Sequence, residues 1–376
     1  MTSARLMDRP EDYEKIGVKP GVVEAWEDAR RGGSEPGVAE IWYFDCVMDD
    51  GTKLILGFRP KSQDRINEHG DDPNVQITLT PPGGESRNDF RSFAADDASF
   101  SLETCDVKIG PHRLTGDLTQ YHVTIVPEAD REVLMDGTHS VSHDIGVDLH
   151  FTAESTPFRP GTGYIALGAD DEFYLTFLCV PKLLVAGTLT YEGVTHQVQG
   201  LAYQNHQWMN ISSTRAWHHW LWGRQNSSDY TIVIYDLVAN EEFGFARVPL
   251  FYIEDSKGVP VLDTVENVKV EVLETYFQPE TGKDYPRLVR YSAAAEGKSI
   301  EYTLRWQDQI EIRDFYSAAP PEGRAAFDKA GLQPTYTRYF AIGDLVVTEG
   351  DEVIRSTGNM IYEFLYSGKP DVRAGL

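Results

Sequence analysis

Hydrophobic and polar residues alternate with a period of two along most of this chain. The stretch "EIWYFDCVMDDGTKLILGF", residues 40–58, contains two such runs on either side of "DDG", which is a hairpin signal. Similar runs recur towards the C-terminus, with turn residues between them. Because alternation places successive side chains on opposite faces of a strand, the pattern predicts an all-β protein built from sandwiches or barrels.

Helical periodicity is confined to two short segments. They are residues 21–31, "GVVEAWEDARR", and residues 321–332, "PEGRAAFDKAGL", of which the second opens with proline and ends near glycine. At 376 residues, the chain is long enough for two β-domains. We place their boundary at the weak region "NISSTRA", which gives an N-terminal domain of residues 1–210 and a C-terminal domain of residues 211–376.

The charge balance and the apolar runs restrict the partners and the location. A net charge of −25 argues against nucleic acid and against anionic membrane surfaces, because both attract basic proteins. No apolar run has the length of a membrane span, and we find no signal peptide. Cys46, Cys105 and Cys179 lie in apolar surroundings, which predicts reduced, buried thiols. We therefore expect a cytoplasmic protein.

Common motifs for phosphate, dinucleotide, zinc and serine-nucleophile sites are missing from the sequence. It contains no GxxxxGK[ST], no GxGxxG before a helix, no HExxH and no GxSxG. His218 and His219 are adjacent, so on a strand they point to opposite faces and cannot bind one ion as neighbours. We predict that the protein has no metal site and no organic cofactor.

Tryptophan is concentrated near the middle of the chain. Trp208, Trp217, Trp220 and Trp222 follow closely on one another, and the first of them ends the polar and aromatic stretch "YQNHQW", residues 203–208. One interpretation is a core packed with indole rings. The other is an aromatic-lined cavity for a hydrophobic ligand. The polar groups of the stretch favour the cavity, because a buried amide or imidazole needs a hydrogen-bond partner or a ligand.

Several motifs occur in the order expected for one known family. They are "VEAWEDARR", "EIWYFDCVMDDGTKL", "VAGTLTYEGVTHQVQGLAYQNHQW", "WHHWLWGRQNSSDYTIVIYDL" and "NMIYEFLY". In these motifs the chain resembles the lipocalin-like carotenoid hydratases (hydroxyneurosporene synthases), a family that includes fungal kievitone hydratase and fungal Diels–Alderases. The resemblance implies two lipocalin-like antiparallel β-barrel or sandwich domains with a few short helices. It also implies a hydrophobic pocket and no cofactor.

The resemblance suggests which residues form the site. We predict that Asn205, Tyr203 and Glu40 are catalytic. Six further residues are predicted to bind the substrate: Trp42, His206, Trp208, Trp220, Trp222 and Tyr362. Three of these tryptophans, at positions 42, 208 and 222, are expected to border an apolar pocket. The expected partner is a hydrophobic small-molecule substrate, a polyketide or terpenoid intermediate of natural-product biosynthesis, and the oligomeric state is left open.

Asn205 departs from the family pattern. The hydratases have an acidic residue at this position, held to protonate the alkene, whereas an amide has no proton to give near neutral pH. An amide can still orient or polarise a carbonyl by hydrogen bonding. The sequence therefore favours a cofactor-free cyclase, a Diels–Alderase-like pericyclase. Two alternatives remain: a hydratase or isomerase that uses another acid, such as Glu40 or Asp45, and a carrier that binds a lipophilic molecule unchanged.

If "YQNHQW" is a regular strand, its side chains divide between two faces. Tyr203 and Asn205 then lie on one face, and His206 and Trp208 lie on the other. We predict that the first pair faces the ligand in a cleft where the two β-domains meet. His206 is then expected to form a supporting hydrogen bond across the domain junction, with Trp208 packed beside it.

Overall fold

The computed structural model describes residues 3–61, 65–128, 143–168, 173–227, 229–262, 267–295 and 297–376. Strands account for 60% of the structure and helices for 11%. The fold is all-β, with two curled, antiparallel, half-barrel sheets. The fold class predicted from the alternating pattern is confirmed.

The strands of the first half of the chain are β1 (Ala4–Leu6), β2 (Ala39–Met48), β3 (Lys53–Arg59), β4 (Asn74–Thr80), β5 (Arg87–Ser92), β6 (Ala98–Phe100), β7 (Cys105–Ile109), β8 (His112–Gly116), β9 (Gln120–Ile125), β10 (Gly146–Ala153), β11 (Tyr164–Leu167) and β12 (Phe173–Thr176). Those that follow are β13 (Leu178–Tyr191), β14 (Val194–Met209), β15 (Trp217–Asn226), β16 (Tyr230–Ala239), β17 (Arg247–Asp255), β18 (Pro260–Leu262), β19 (Lys269–Gln278), β20 (Lys283–Ala295), β21 (Lys298–Asp314), β22 (Leu332–Glu349) and β23 (Glu352–Gly368). The α-helices are short: α1 (Pro10–Ile16), α2 (Ser213–Ala216), α3 (Phe315–Ala318) and α4 (Pro321–Ala330).

The chain forms two compact units, each built from separate segments. The N-terminal unit contains Ile16–Arg159 and Leu175–Ser212, and the C-terminal unit contains Met1–Lys15, Pro160–Tyr174 and Ser213–Leu376. Two segments of the predicted domain 1–210 thus group with the C-terminal unit. Within them, strands β1 and β11 pair antiparallel. Pairing between segments so distant in sequence leaves no local pattern in the sequence.

The sheet of the N-terminal unit places two of the sequence motifs side by side. Its strand order is β5-β4-β3-β2-β14-β13-β10-β9-β8-β7-β6, and the pairs within it are antiparallel. Most neighbours are consecutive hairpins, but β2 pairs with β14 across a large separation in sequence. This pairing sets "EIWYFD" next to "YQNHQW".

The sheet of the C-terminal unit has the order β18-β17-β16-β15-β23-β22-β21-β20-β19. Strand β15 pairs antiparallel with β23, so "WLWGR" lies beside "MIYEFLY".

Each unit has its own hydrophobic core. In the N-terminal unit, Trp42, Phe44 and Cys46 alternate with less buried residues along β2 and face this core. The core of the C-terminal unit is rich in aromatic rings, among them Tyr302 and Phe364. Burial of one large apolar side chain contributes about 1.5–3 kcal/mol, so these faces dominate the stability of both units. The three cysteines are free and buried, as predicted.

The predicted helix at residues 321–332 is present as α4. Gly331 ends it with a left-handed φ of 73°, a conformation that glycine adopts without steric cost. Among the described residues, none of the helices combines the length and the apolar character that a membrane crossing requires.

The helix predicted at residues 21–31 is wrong. Only Ala25–Asp28 forms a single 3-10 turn, closed by a capping box between Glu24 and Glu27. The backbone then leaves the helical path because long-range partners bind its N–H groups. The N–H of Arg30 donates to the carbonyl of Ser101, and the next two N–H groups donate to a buried carboxylate described below.

Candidate functional site

The stretch "YQNHQW" forms the last part of strand β14, beside β2. In the antiparallel register, Asn205 lies opposite Tyr43 and His206 lies opposite Trp42. Trp42 belongs to the core of the N-terminal unit, so His206 is on the core side of the sheet. Because side chains alternate, Asn205 and Tyr203 are on the other side.

His206 is held between two carboxylates on the core side. Both belong to the N-terminal unit, so the hydrogen bond predicted across the domain junction forms within one unit instead. Its Nε2 forms a 2.8 Å hydrogen bond with Oε1 of Glu40, and its Nδ1 lies 3.1 Å from Oδ1 of Asp28, an ion-pair contact without hydrogen-bond alignment. The ring stacks on the indole of Trp42 at a centroid distance of 4.4 Å, and the indole of Trp208 lies 4.7 Å away. All five side chains are buried. We call these residues the His206 cluster.

Hydrogen bonds that involve backbone groups hold Glu40 and Asp28 in place. The N–H groups of Arg31 and Gly32 donate to Oε1 and Oε2 of Glu40 at 2.8 and 3.0 Å. A Cβ atom on Gly32 would lie 2.9 Å from Oε2, so glycine permits this close approach. The indole Nε1 of Trp42 donates to the carbonyl of Asp28 at 2.9 Å. These bonds anchor the segment after the 3-10 turn against strand β2.

Tyr121 and Cys105 adjoin the His206 cluster from strands β9 and β7. The hydroxyl of Tyr121 donates to Oδ2 of Asp28 at 2.7 Å. Burial, and then the charge of Asp28, raises the pKa of Tyr121 and that of the Cys105 thiol. Neither residue was among the predicted site residues, and Asp28 was also missed because its segment resembles a helix. The nearest signal was its position in the "VEAWEDARR" motif.

Two opposing effects act on the pKa of His206. Burial is the largest single effect and lowers it, because the charged imidazolium loses its hydration. The interactions of the ring with the Asp28 and Glu40 carboxylates act in the other direction, and together they leave the pKa raised. The two carboxylates therefore favour the protonated form of His206 over what burial alone would allow, and the bond to Glu40 links β14 to β2.

The other side of the sheet carries what we call the polar face: Tyr43, Asp45, Tyr203 and Asn205. The Nδ2 of Asn205 donates to the hydroxyl of Tyr203 at 3.2 Å. Asn205 is only 6% exposed, and its Oδ1 has no hydrogen-bond partner among the described residues. On the neighbouring strand, Asp45 lies opposite Tyr203 and Tyr43 lies opposite Asn205. The face combines two phenols, a carboxylate and a carboxamide with an unpaired oxygen.

Three of the predicted substrate-binding residues belong to the C-terminal unit. Trp220 stacks on Tyr235 with ring centroids 5.8 Å apart, and Trp222 is buried on the same face of β15. Tyr362 lies in the core of this unit, where its hydroxyl donates to the carbonyl of Pro286 at 2.8 Å. A role for these three residues in substrate binding stays a prediction. The same holds for the pocket expected between tryptophans 42, 208 and 222.

No protein-family model matches this chain, and no curated protein matches its sequence. Solved structures do share its architecture. A protein assigned as ATTH from Nitrosomonas europaea has a TM-score of 0.57 and 14% identity, over 92% of this chain and 98% of that chain. The chain has the fold expected for the lipocalin-like family that its motifs resemble.

A second solved structure is that of CghA with Sch210972. It has a TM-score of 0.57 and 12% identity, and the match covers 89% of each chain. The structure of CghA alone gives a TM-score of 0.55, again at 12% identity, over 89% of this chain and 90% of that chain. At such identities the likeness establishes the fold, and the chemistry must be argued from the residues of this chain.

Proposed function

We propose that this protein is a cofactor-free enzyme that cyclises a hydrophobic polyketide or terpenoid intermediate, in the manner of a Diels–Alderase. One observation carries the proposal. At the position where the hydratases that this sequence resembles have an acid, a buried carboxamide, Asn205, is held at one end by Tyr203, and its oxygen has no partner among the residues that the structure describes. A buried polar atom without a partner is costly, so a site of this kind suits a ligand group.

The chemistry of an amide fits cyclisation better than alkene protonation. Asn205 has no proton to transfer near neutral pH, but one N–H of its Nδ2 remains after the bond to Tyr203. That N–H can donate to a substrate carbonyl that gains negative charge during the reaction. One such donor contributes roughly 3 kcal/mol to the transition state.

Restriction of the substrate supplies the rest of the catalysis. A flexible chain that carries a diene and an alkene reacts slowly because few of its conformations bring the two groups together. Binding in one reactive conformation removes several kcal/mol of this barrier, about 7–11 kcal/mol in the best cases. The structure of CghA with Sch210972 supports the presence of a ligand site in this fold.

A second candidate function is hydration or isomerisation of a polyene, and one residue favours it. Asp45 lies directly opposite Tyr203 on the polar face, where a carboxylic acid could deliver a proton. Glu40 is less suited to this role. Its two oxygens already accept hydrogen bonds from two backbone N–H groups and His206, on the core side of the sheet.

The test begins with a panel of synthetic linear trienones, each with a conjugated diene tethered to an enone. We expect the protein to accelerate cyclisation of at least one compound, and Asn205→Ala to slow it by about tenfold to a thousandfold with the melting temperature unchanged. The matched control is Gln204→Ala, which removes the neighbouring amide from the opposite side of the strand and should leave turnover unchanged.

Asn205→Asp and Asp45→Asn separate cyclisation from hydration. Asn205→Asp restores the acid of the hydratase pattern and should not accelerate cyclisation. An amide does not titrate, so cyclisation should be insensitive to pH and to Asp45→Asn. Loss of activity in Asp45→Asn, together with water addition that fades as the pH rises, would favour the hydratase instead. Tight binding of the compounds without turnover would identify a carrier, and unfolding of Asn205→Ala would show that the stretch is scaffold.

A further inference from the structure

Two histidines and an aspartate meet on the outer face of the N-terminal unit. His122 is on strand β9, between Tyr121 and Val123, which face the core. Asp148 and His150 are on strand β10, whose intervening Leu149 also faces the core. The three side chains therefore point away from the core, and their potential ligand atoms all lie within 4.8 Å of one another.

The strand register brings these side chains together. His122 pairs directly with His150 across the antiparallel strands, and Asp148 is two residues from His150 on the same face. The two imidazole rings stack with centroids 4.2 Å apart and an interplanar angle of 10°. Nε2 of His122 lies 2.6 Å from Oδ1 of Asp148. The backbone thus positions two ring nitrogens and a carboxylate without help from a loop.

Small residues on the flanking strands lie beside these side chains. On β13, Ala186 lies opposite His150 and Thr188 lies opposite Asp148. On β8, Thr115 lies opposite His122. The side chains of His122 and Asp148 are 42% and 58% exposed, so an ion and its water ligands can reach them.

We propose that His122, Asp148 and His150 form a binding site for a divalent first-row transition ion such as Zn²⁺. Imidazole nitrogen favours zinc, nickel and copper, whereas magnesium and calcium favour all-oxygen sites. Three protein ligands leave a tetrahedral ion one position for water. The net charge of −25 adds a general attraction for cations.

A bound ion would link strands β9 and β10. Because it would bind the folded arrangement and not the unfolded chain, it would stabilise the folded protein by an amount that rises with the logarithm of the ion concentration above Kd. The spacing of these residues in sequence did not predict a metal site, since His122 comes from a different strand than the pair at 148 and 150. The site shares no residue with the polar face, so it is independent of the proposed cyclisation.

The test is isothermal titration of untagged, EDTA-treated full-length protein with ZnCl₂. We expect one Zn²⁺ per chain, a rise in melting temperature on addition of Zn²⁺, and no comparable binding of Mg²⁺. Loss of a ligand in His150→Ala or His122→Ala should weaken Zn²⁺ binding by at least about tenfold. His196→Ala is the matched control, because His196 stacks on Tyr191 outside the site.

Electron paramagnetic resonance with Cu²⁺ adds a readout of the ligands. Coupling to two imidazole nitrogens is expected in the parent protein and to one in His150→Ala. Zn²⁺ affinity that is unchanged in both histidine variants would overturn the proposal, as would the absence of binding in the parent protein. All three positions are partly or fully exposed, so the variants should fold, which their melting temperatures without metal will check.

Discussion

The two units each bury a histidine completely, in opposite electrostatic surroundings. In the N-terminal unit, Asp28 and Glu40 flank His206 and raise its pKa despite burial. In the C-terminal unit, Nδ1 of His219 lies 2.8 Å from Nδ1 of His218. Burial, and then the positive charges around it, lower the pKa of His219 far below its ordinary value.

The hydrogen bonds of the C-terminal pair agree with this direction. The carbonyl of Lys369 can only accept, so Nε2 of His218 donates to it at 2.8 Å, and Nδ1 of His218 accepts from His219. These two hydrogen bonds can both form when His218 and His219 are neutral. Burial therefore lowers the pKa of a histidine, and acidic partners decide whether the net shift becomes a rise.

Removal of one carboxylate from the N-terminal unit should have the largest effect. Glu40→Ala leaves His206 and two backbone N–H groups without their acceptor. We expect the free energy of unfolding at neutral pH to fall by about 3–5 kcal/mol, as for other broken buried ion pairs. Urea denaturation measures the change. The control is Glu274→Ala, whose pair with Arg287 is about half exposed and should contribute less than about 1 kcal/mol.

Removal of one hydroxyl from each unit compares a charged acceptor with a neutral one. Tyr121→Phe loses a bond to the Asp28 carboxylate and should cost about 1.5–3 kcal/mol. Tyr362→Phe loses a bond to the carbonyl of Pro286 and should cost about 1 kcal/mol. Equal losses in thermal denaturation would contradict the expected difference between the two acceptors. Measurement of turnover in the same Tyr362→Phe variant tests the predicted contact between Tyr362 and the substrate.

The two histidines should give opposite and smaller pH dependences. The raised pKa of His206 means that its stabilisation is complete below the unfolded pKa of about 6.5 and is lost as the pH rises through the folded pKa. The lowered pKa of His219 means that its contribution is present above about pH 6.5 and is lost as the pH falls through the folded pKa. Each slope is at most about 1.4 kcal/mol per pH unit.

Denaturation of His206→Gln and His219→Gln across this pH range measures the two slopes. Relative to the parent protein, His219→Gln should gain stability at acid pH, and His206→Gln should lose the most there. Curves that change in the same sense in both variants would contradict the assigned directions.

The sequence by itself determined that residues 203–208 form a strand, and which of their side chains share a face. Tyr203 and Asn205 lie on the side of β14 opposite His206, as alternation requires. Helix α4 also followed from local signals, because its proline and its left-handed Gly331 act on the adjacent backbone alone. These features depend on neighbours in sequence, so the local pattern was enough.

Only the tertiary structure decided which distant residues meet. His206 and Glu40 are 166 residues apart, and their contact depends on the pairing of β14 with β2. The segment of Asp28 has a helical pattern, yet hydrogen bonds to Ser101 and Glu40 draw the following backbone away from a helix. Local alternation fixes the face that a side chain takes, but strand order and register result from backbone hydrogen bonding and packing across the whole sheet.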